Sequence, residues 1–368
     1  MKLKKLCLKN FRNYSELEID FNEKLNIIIG NNAQGKTNIL EAIYYLAITK
    51  SFLVVNDKTT IKNNEIYSSI KGNVLNDSGS LKTLGVFINT SLKKLKINDK
   101  EIKKHCEYIG NLRVIIFSPD NIRLIKDGPV NRRRFLNIEI SQLYLKYINV
   151  LNEFNVVLKQ RNEYLKIIKN GNCNEEYFKI LNFKYVELAS YIFKYRDDFI
   201  AKINKYIDDI FFQISGYKGL YIKYISSVEV NELSLMRENM LGKLDSIRNR
   251  EVIYGCSLIG PHRDDFIFVL NDNDLLLYGS QGQQKMAILA LKLAEINVFK
   301  EVCLDNPILL LDDLFSELDV DKRNKIINYL NGDIQTFVTT TDLNNIIFSN
   351  VDSLNVYKIS DGKIINES

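Results

Sequence analysis

The sequence predicts an α/β lobe interrupted by a helical insertion, and three stretches carry that prediction. Residues 26–29 form an apolar strand that ends on Gly30, and residues 36–46 follow with helical periodicity. From Arg132 to Tyr206 apolar residues recur in steps of four and three, the stripe of paired helices. From Ser280 onward helix and strand patterns alternate again around a fully apolar strand at 307–311. The expected division is 1–125 for the first part of the α/β lobe, 126–279 for the insertion, and 280–368 for the lobe's return.

Each element follows from its pattern. Residues 3–8 and 17–21 alternate as short strands ahead of the strand at 26–29. The helix from Lys36 places Ile39, Leu40, Ile43 and Leu46 on one face. Residues 66–116 alternate apolar and polar around turn signals at 76–79 and 98–100, so they read as antiparallel strands. After Pro129 the stripe runs through Leu136, Ile140, Leu143, Tyr147, Val150, Phe154 and Val157, and after a loop at 170–174 through Leu181, Tyr185, Leu188, Ile192, Tyr195, Phe199 and Tyr206. Two helices of about 35 residues would make an antiparallel arm on the order of 50 Å long. The competing reading is a helix pair buried in a globular lobe. Beyond it, 282–298 reads as a helix, 307–311 as a strand, 319–330 as a helix and 336–339 as a strand.

With 368 residues the chain exceeds the size at which single cores usually split, so two lobes are expected. The net charge of +5, from 50 Lys+Arg against 45 Asp+Glu, permits a basic patch but is far below that of a dedicated nucleic-acid coat. Cys7, Cys106, Cys173, Cys256 and Cys303 are scattered, with no spacing for zinc or a disulfide framework, which points to reduced thiols. No apolar run is long enough to span a bilayer and the N-terminus does not read as a signal peptide, so a soluble intracellular protein is expected.

Gly30-Asn31-Asn32-Ala33-Gln34-Gly35-Lys36-Thr37 matches GxxxxGK[ST]. In such a loop backbone N–H groups cradle phosphates, the Lys reaches the terminal phosphates and the Thr hydroxyl holds Mg²⁺, so ATP with Mg²⁺ is the expected cofactor. Ile308-Leu309-Leu310-Leu311-Asp312-Asp313 supplies a buried strand delivering two acids at its C-terminal end. Asp312 would hold Mg²⁺ indirectly, through the groups bound to the ion, and Asp313 would orient or deprotonate the attacking water. Ser280-Gln281-Gly282-Gln283 opens a helix, with Ser280 placed to cap it and the following N–H groups placed to meet an anion. Asp313, Lys36 and Ser280 are thus the candidate catalytic residues, and Thr37 with Asp312 the metal site.

The order of phosphate loop, helical insertion, Ser-Gly-Gln helix start, Asp-Asp strand and Glu317-Leu318-Asp319 resembles the ABC-type ATPase head of transporters and SMC-like DNA proteins. That resemblance implies a P-loop lobe with antiparallel strands, plus a helical second lobe with an antiparallel two-helix arm. It also implies two nucleotides sandwiched between two heads, each capped by the partner's Ser280-Gln281-Gly282-Gln283. Within the superfamily, Phe11-Arg12-Asn13-Tyr14, Gly35-Lys36-Thr37-Asn38-Ile39-Leu40-Glu41-Ala42, Phe117-Ser118-Pro119, Arg132-Arg133-Arg134-Phe135-Leu136, Leu158-Lys159-Gln160-Arg161-Asn162 and Gly260-Pro261-His262-Arg263-Asp264-Asp265 are similar to signatures of the RecF family, in the same order over nearly the whole chain. The family resemblance implies an ATP-dependent homodimer in the cytoplasm, associated with the nucleoid. It implies binding to double-stranded DNA and to junctions near single-strand gaps, and a partnership with RecR and RecO in loading RecA. It also adds Arg12 to the residues expected at the nucleotide.

The chain departs from the family pattern in places. Ala33 replaces a loop position that is usually glycine, and Leu53 replaces one that is often basic. Thr341 stands where transporter heads carry a His, and Pro119-Asp120 near their Gln, so hydrolysis should be slow, a switch. His262 is read as a positioned structural residue ahead of a catalytic one. Arg132, Arg133 and Arg134 are either a phosphate-contacting cluster or a solvated helix start. An SMC-like tether would need far longer helices, and a transporter head would need a groove for a membrane partner.

Overall fold

The computed structural model describes residues 1–303, 305–313, 334–341 and 353–367. The chain divides into two compact units, one of 1–122, 209–217 and 285–368, the other of 123–208 and 218–284.

The first unit begins with β1 (Lys2–Phe11), β2 (Tyr14–Asp20), β3 (Leu25–Ile29), α1 (Lys36–Ile48), β4 (Tyr67–Leu75), β5 (Leu81–Asn89), β6 (Lys93–Ile97), β7 (Lys100–Ile102), α2 (His105–Tyr108) and β8 (Val114–Phe117). The second unit carries α3 (Arg123–Lys126), α4 (Pro129–Leu143), α5 (Leu145–Lys169), α6 (Glu175–Asn204), β9 (Leu220–Ile225), α8 (Leu233–Tyr254), β10 (Asp265–Leu270), β11 (Asn273–Asp274) and α9 (Leu275–Tyr278), while α7 (Ile207–Ser215) lies at the return to the first unit. α10 (Gln281–Val302) begins in the second unit, and β12 (Ile308–Asp312), β13 (Thr336–Thr340), β14 (Leu354–Ser360) and β15 (Lys363–Glu367) complete the first. The expected helix at 319–330 and Glu317-Leu318-Asp319 lie outside the described residues.

Two sheets organise the first unit. β2-β1-β4-β5-β6-β7 is antiparallel throughout, with turns at the predicted 76–79 and 98–99. The other, β15-β14-β3-β13-β12-β8, is parallel except for its terminal hairpin. α1 packs against strands of both sheets, and all of its residues from Ile39 to Ile48 are buried. A helix apolar on more than one face is stable only when so enclosed, each buried Leu or Ile adding about 1.5–3 kcal/mol.

The structure revises the strand reading at two places. Val114–Phe117 does not continue the antiparallel meander but joins the parallel sheet beside β12, as its four consecutive buried residues demand. The terminal hairpin of β14 and β15, not anticipated, closes the other edge on β3.

In the second unit α5 and α6 run antiparallel. Tyr147 meets Tyr195 and Tyr164 meets Tyr177. The expected single first helix is two, α4 and α5, broken at Tyr144, whose backbone is extended (φ −131°, ψ 103°). The stripe conceals the break because Leu143 and Tyr147 keep their spacing across it. α8 packs on both α5 and α6, and a small antiparallel sheet, β11-β10-β9, packs on α6 and α4, so the pair is also part of a globular core. No described helix is long and apolar enough to cross a membrane.

Candidate nucleotide site

β3 ends at the heart of the parallel sheet and hands the chain to the glycine loop. Gly30 lies so close to β14 that a Cβ there would stand 2.5 Å from the Ile359 carbonyl oxygen, a backbone atom that cannot swing away. Gly35, the N-cap of α1, has φ +109°, and a Cβ on it would meet the Asn13 and Tyr14 side chains within 3 Å. Between the two glycines Ala33 also takes a left-handed conformation, φ 64°. The glycine-like backbone is therefore kept although the glycine is not.

The loop and the Asp-Asp strand meet. The Thr37 hydroxyl donates to Asp312 Oδ1 at 2.8 Å, and the Thr339 hydroxyl donates to the same oxygen at 2.8 Å. Lys36 turns back over its own loop, Nζ lying 2.5 Å from the Gly30 carbonyl and 3.0 Å from that of Asn31. Beside them opens a cavity of about 150 Å³ lined by Asn31, Asn32, Ala33, Gly35, Lys36, Thr37, Asn38, Asp313 and Thr339. Asp313 sits at left-handed φ 47°, its N–H donating to the Thr339 hydroxyl at 3.0 Å. Thr339 thus orders both acids, a role that nothing local to it signals beyond its place on β13, which lies beside β12.

Burial shapes the electrostatics. It pushes the Lys36 ammonium pKa down, against the attraction of Asp313 and Asp312. It pushes the Asp312 carboxyl up, against the hydroxyl bonds from Thr339 and Thr37. A hydroxyl and a carboxylate side by side are hard oxygen donors suited to Mg²⁺, and the loop's amides and lysine suit a polyphosphate, so the residues present fit Mg²⁺-ATP.

Of the predicted nucleotide residues, Gly30, Arg12, Gln34 and the 280–283 segment do not line this cavity. Arg12 spans Glu41 in a bidentate pair, Nε to Oε2 at 2.7 Å and Nη2 to Oε1 at 2.6 Å, and its Nη1 donates to the Thr59 carbonyl at 3.0 Å. Glu41, fully buried on α1, also accepts from the Ser51 hydroxyl at 2.5 Å. Gln34 faces away from the cavity, its carbonyl accepting from Asn13 Nδ2 at 2.9 Å and its side-chain oxygen from the Asp361 N–H at 2.6 Å. Asn13 and Tyr14, quoted from sequence only as signature residues, prove to touch the loop: Asn13 Oδ1 accepts from Asn38 Nδ2 at 2.8 Å and the Tyr14 hydroxyl donates to the Gly35 carbonyl at 3.0 Å.

The Ser280 segment belongs to the second unit. The Ser280 hydroxyl accepts from the Gln283 N–H at 3.2 Å and the Gln283 side chain accepts from the Ser280 N–H at 2.9 Å, a reciprocal capping box. Ser280, Gln281 and Gly282 are exposed, while the buried Gln284 anchors the turn by donating to the Leu275, Leu276 and Gly279 carbonyls.

Arg132 is neither solvated nor open to a phosphate. It makes a bidentate pair with Asp265 at 2.5 and 2.8 Å and donates to the Leu124 and Asp127 carbonyls. Arg133 donates to the Asp264 carbonyl at 2.8 Å. His262 is largely enclosed, its Nε2 3.0 Å from the Ser257 carbonyl, and desolvation lowers its pKa to about 4, as befits a structural residue.

The chain is similar to a described family and to solved structures. Residues 2–364 match the RecF/RecN/SMC N terminal domain family. The DNA replication and repair protein RecF of Listeria innocua is 39% identical over 99% of both chains, and that of Streptococcus agalactiae 40% identical over 100% of this chain and 99% of the relative. A structure of the recombination mediator protein RecF with ATP superposes with TM-score 0.93 at 33% identity, covering 100% of this chain and 97% of that one. A Pyrococcus furiosus Smc head domain matches at TM-score 0.56 and 16% identity, 100% and 96% covered, a likeness of fold alone.

Proposed function

The chain belongs to the RecF family, and from that premise we propose that it binds Mg²⁺-ATP at the Gly30 loop and uses it to switch between a single head and a dimer on double-stranded DNA. The observation that carries the reading is the Thr37–Asp312 hydrogen bond, which joins the phosphate loop to the Asp-Asp strand across 275 positions of sequence, beside a cavity of polyphosphate character. Gly30, Asn31, Asn32, Ala33, Gly35 and Lys36 would hold the phosphates, and Thr37 with Asp312 the metal, which supplies charge neutralisation between the phosphates. Lys36 must then leave the Gly30 and Asn31 carbonyls for the terminal phosphate. Asp313, which lines the cavity, would orient a water for attack on the terminal phosphate and take up its proton. With Thr341 where transporters carry a His, that step is slow. The relatives' names as DNA replication and repair proteins support a role in DNA repair. The further steps of our reading, action near single-strand gaps and junctions and, through RecR and RecO, help in loading RecA in the cytoplasm, are what the family resemblance implies.

The exposed Ser280-Gln281-Gly282 start of α10 supports a composite site in which each copy caps the other's nucleotide. Light scattering with and without ATP tests it. The wild type should double its mass with ATP and Ser280→Arg should remain monomeric; a Ser280→Arg protein that dimerises like wild type excludes the composite site.

A further inference from the structure

Within the proposed ATP site, on which this inference rests, we propose that Gln34 is a positioning residue of the phosphate loop. It is strapped from behind by the two ends of the chain, and it holds Ala33 in a backbone conformation that a glycine would reach unaided.

Ala33 stands at φ 64°, a region that residues with a Cβ enter only where the surroundings over-determine them. Its own side chain cannot be the cause, because Ala33 is exposed at the cavity rim and its methyl is not packed into the core. The constraint must come through the neighbouring backbone, and the next residue is the one that is tied down. The Gln34 carbonyl accepts from Asn13 Nδ2 at 2.9 Å and from the Gly362 N–H at 3.3 Å. Its side-chain Oε1 accepts from the Asp361 N–H at 2.6 Å. Asn13 lies in the tight turn between β1 and β2, and Asp361 and Gly362 form the turn between β14 and β15. Both turns are held by the strand pairs they join, and none of Asn13, Asp361 and Gly362 lines the cavity. Asn13 is itself fixed, accepting from Asn38 Nδ2 on the first turn of α1 at 2.8 Å, and the adjacent Gly35 carbonyl accepts from Tyr14 at 3.0 Å. Residue 34 therefore cannot rotate to release residue 33. Ala33, which lines the cavity, thereby keeps its left-handed backbone.

The strap predicts a coupling that a general packing role does not. With glycine at position 33 the left-handed backbone needs no enforcement. A fluorescent ATP analogue with Mg²⁺ would be titrated into the full chain as wild type, Gln34→Ala, Ala33→Gly and the double variant. Gln34→Ala should weaken binding by about tenfold in the wild-type background and by no more than about threefold in the Ala33→Gly background. Asn13→Ala, which removes one of the two donors on the Gln34 carbonyl, should lose about threefold in the wild-type background and little in the Ala33→Gly background; it takes the place of Gln34→Ala if that variant is unfolded by nucleotide-free thermal melting. An equal loss in both backgrounds overturns the strap. Failure of the wild type to bind the analogue overturns the ATP reading itself, and the strap with it.

Discussion

Asp312 accepts from Thr37 and from Thr339 on one carboxylate, and in the proposed site the same group would also supply the negative oxygen that a magnesium ion needs. Only the charged form can serve the last, yet burial disfavours that form and raises the pKa. Protonation on acidification therefore removes the metal ligand sooner than an ordinary Asp would. Mg²⁺-dependent nucleotide affinity should fall as pH drops through the acidic range, and Asp312→Asn should both lower it by at least about tenfold and flatten that pH dependence. Titration of a nucleotide analogue at a series of pH values with and without Mg²⁺ checks this; a variant that keeps the wild-type profile would remove Asp312 from the metal site. The residues of the loop and Asp312 were legible because their chemistry is local: a glycine that permits close approach and an acid at a strand end declare themselves in a few neighbours. The duties of Thr339, Asn13 and Gln34 were not, because each depends on a partner brought from a distant strand or turn. Arg12 shows the opposite failure. Its motif was visible, but its guanidinium is taken by Glu41, a carboxylate on α1 that the motif alone does not reveal as fully buried.

Elements hold together in the second unit through buried polar clusters between helices. Arg161 of α5 donates to Asn182 of α6 at 2.8 Å, to Ser257 at 2.7 Å and to Glu251 of α8 at 2.6 Å, with the guanidinium over the Tyr185 ring. Arg196 of α6 donates to Asp264 at 2.9 Å and to the Pro261 carbonyl at 2.6 Å. The signature around Arg161 and the Gly-Pro-His-Arg-Asp-Asp hexapeptide are therefore two sides of one structural scaffold. The stripe gave the helices and their antiparallel pairing, but a stripe cannot mark which polar residues inside it are buried partners, nor that α8 completes the group. The hexapeptide also holds two opposed titrations. Desolvation raises the Asp264 pKa from 3.8 to about 6, so its contribution to stability is full below pH 3.8 and lost as pH rises through 6. Desolvation lowers the His262 pKa from 6.5 to about 4, so its contribution is full above pH 6.5 and lost as pH falls through 4. Between pH 6.5 and 4 the two nearly cancel. Asp264→Asn should leave His262 uncompensated, steepening the fall in melting temperature between pH 7 and 4.5 by about 5 °C, and His262→Gln should turn that fall into a plateau or a rise. The slopes are the readout, since removing Asp264 also strips Arg196 of its partner and lowers stability at every pH. Parallel slopes in wild type and both variants would mean that neither group titrates as the burial implies.

For the whole molecule the sequence carried the architecture further than it carried the boundaries. A parallel sheet led by β3, a helical insertion and a return through α10 and β12 were all readable from period and order. The transfer of Val114–Phe117 to the parallel sheet and the terminal hairpin on β14 were not, since strand pairing is decided by long-range register that no local pattern records. The phosphate loop belongs to one unit and the Ser280 capping box to the other, which sets the terms of a decisive test of the proposed dimer. A two-fold sandwich has two equal sites, each built from the loop of one copy and the Ser280 segment of the other. A Lys36→Ala chain has a failed loop but an intact Ser280 segment, and a Ser280→Arg chain has the reverse. Alone, each variant forms only failed sites and should hydrolyse ATP at background rate. Because neither variant should pair with itself, the dimers in an equal mixture would hold one chain of each kind, and in them one of the two sites would combine an intact loop with an intact Ser280. The mixture should therefore recover up to about half of the wild-type rate, rising with the concentration of either partner. A self-contained site within one chain cannot give that recovery, so a mixture that remains at background while each variant keeps the wild-type melting temperature would place Ser280 outside the hydrolytic site.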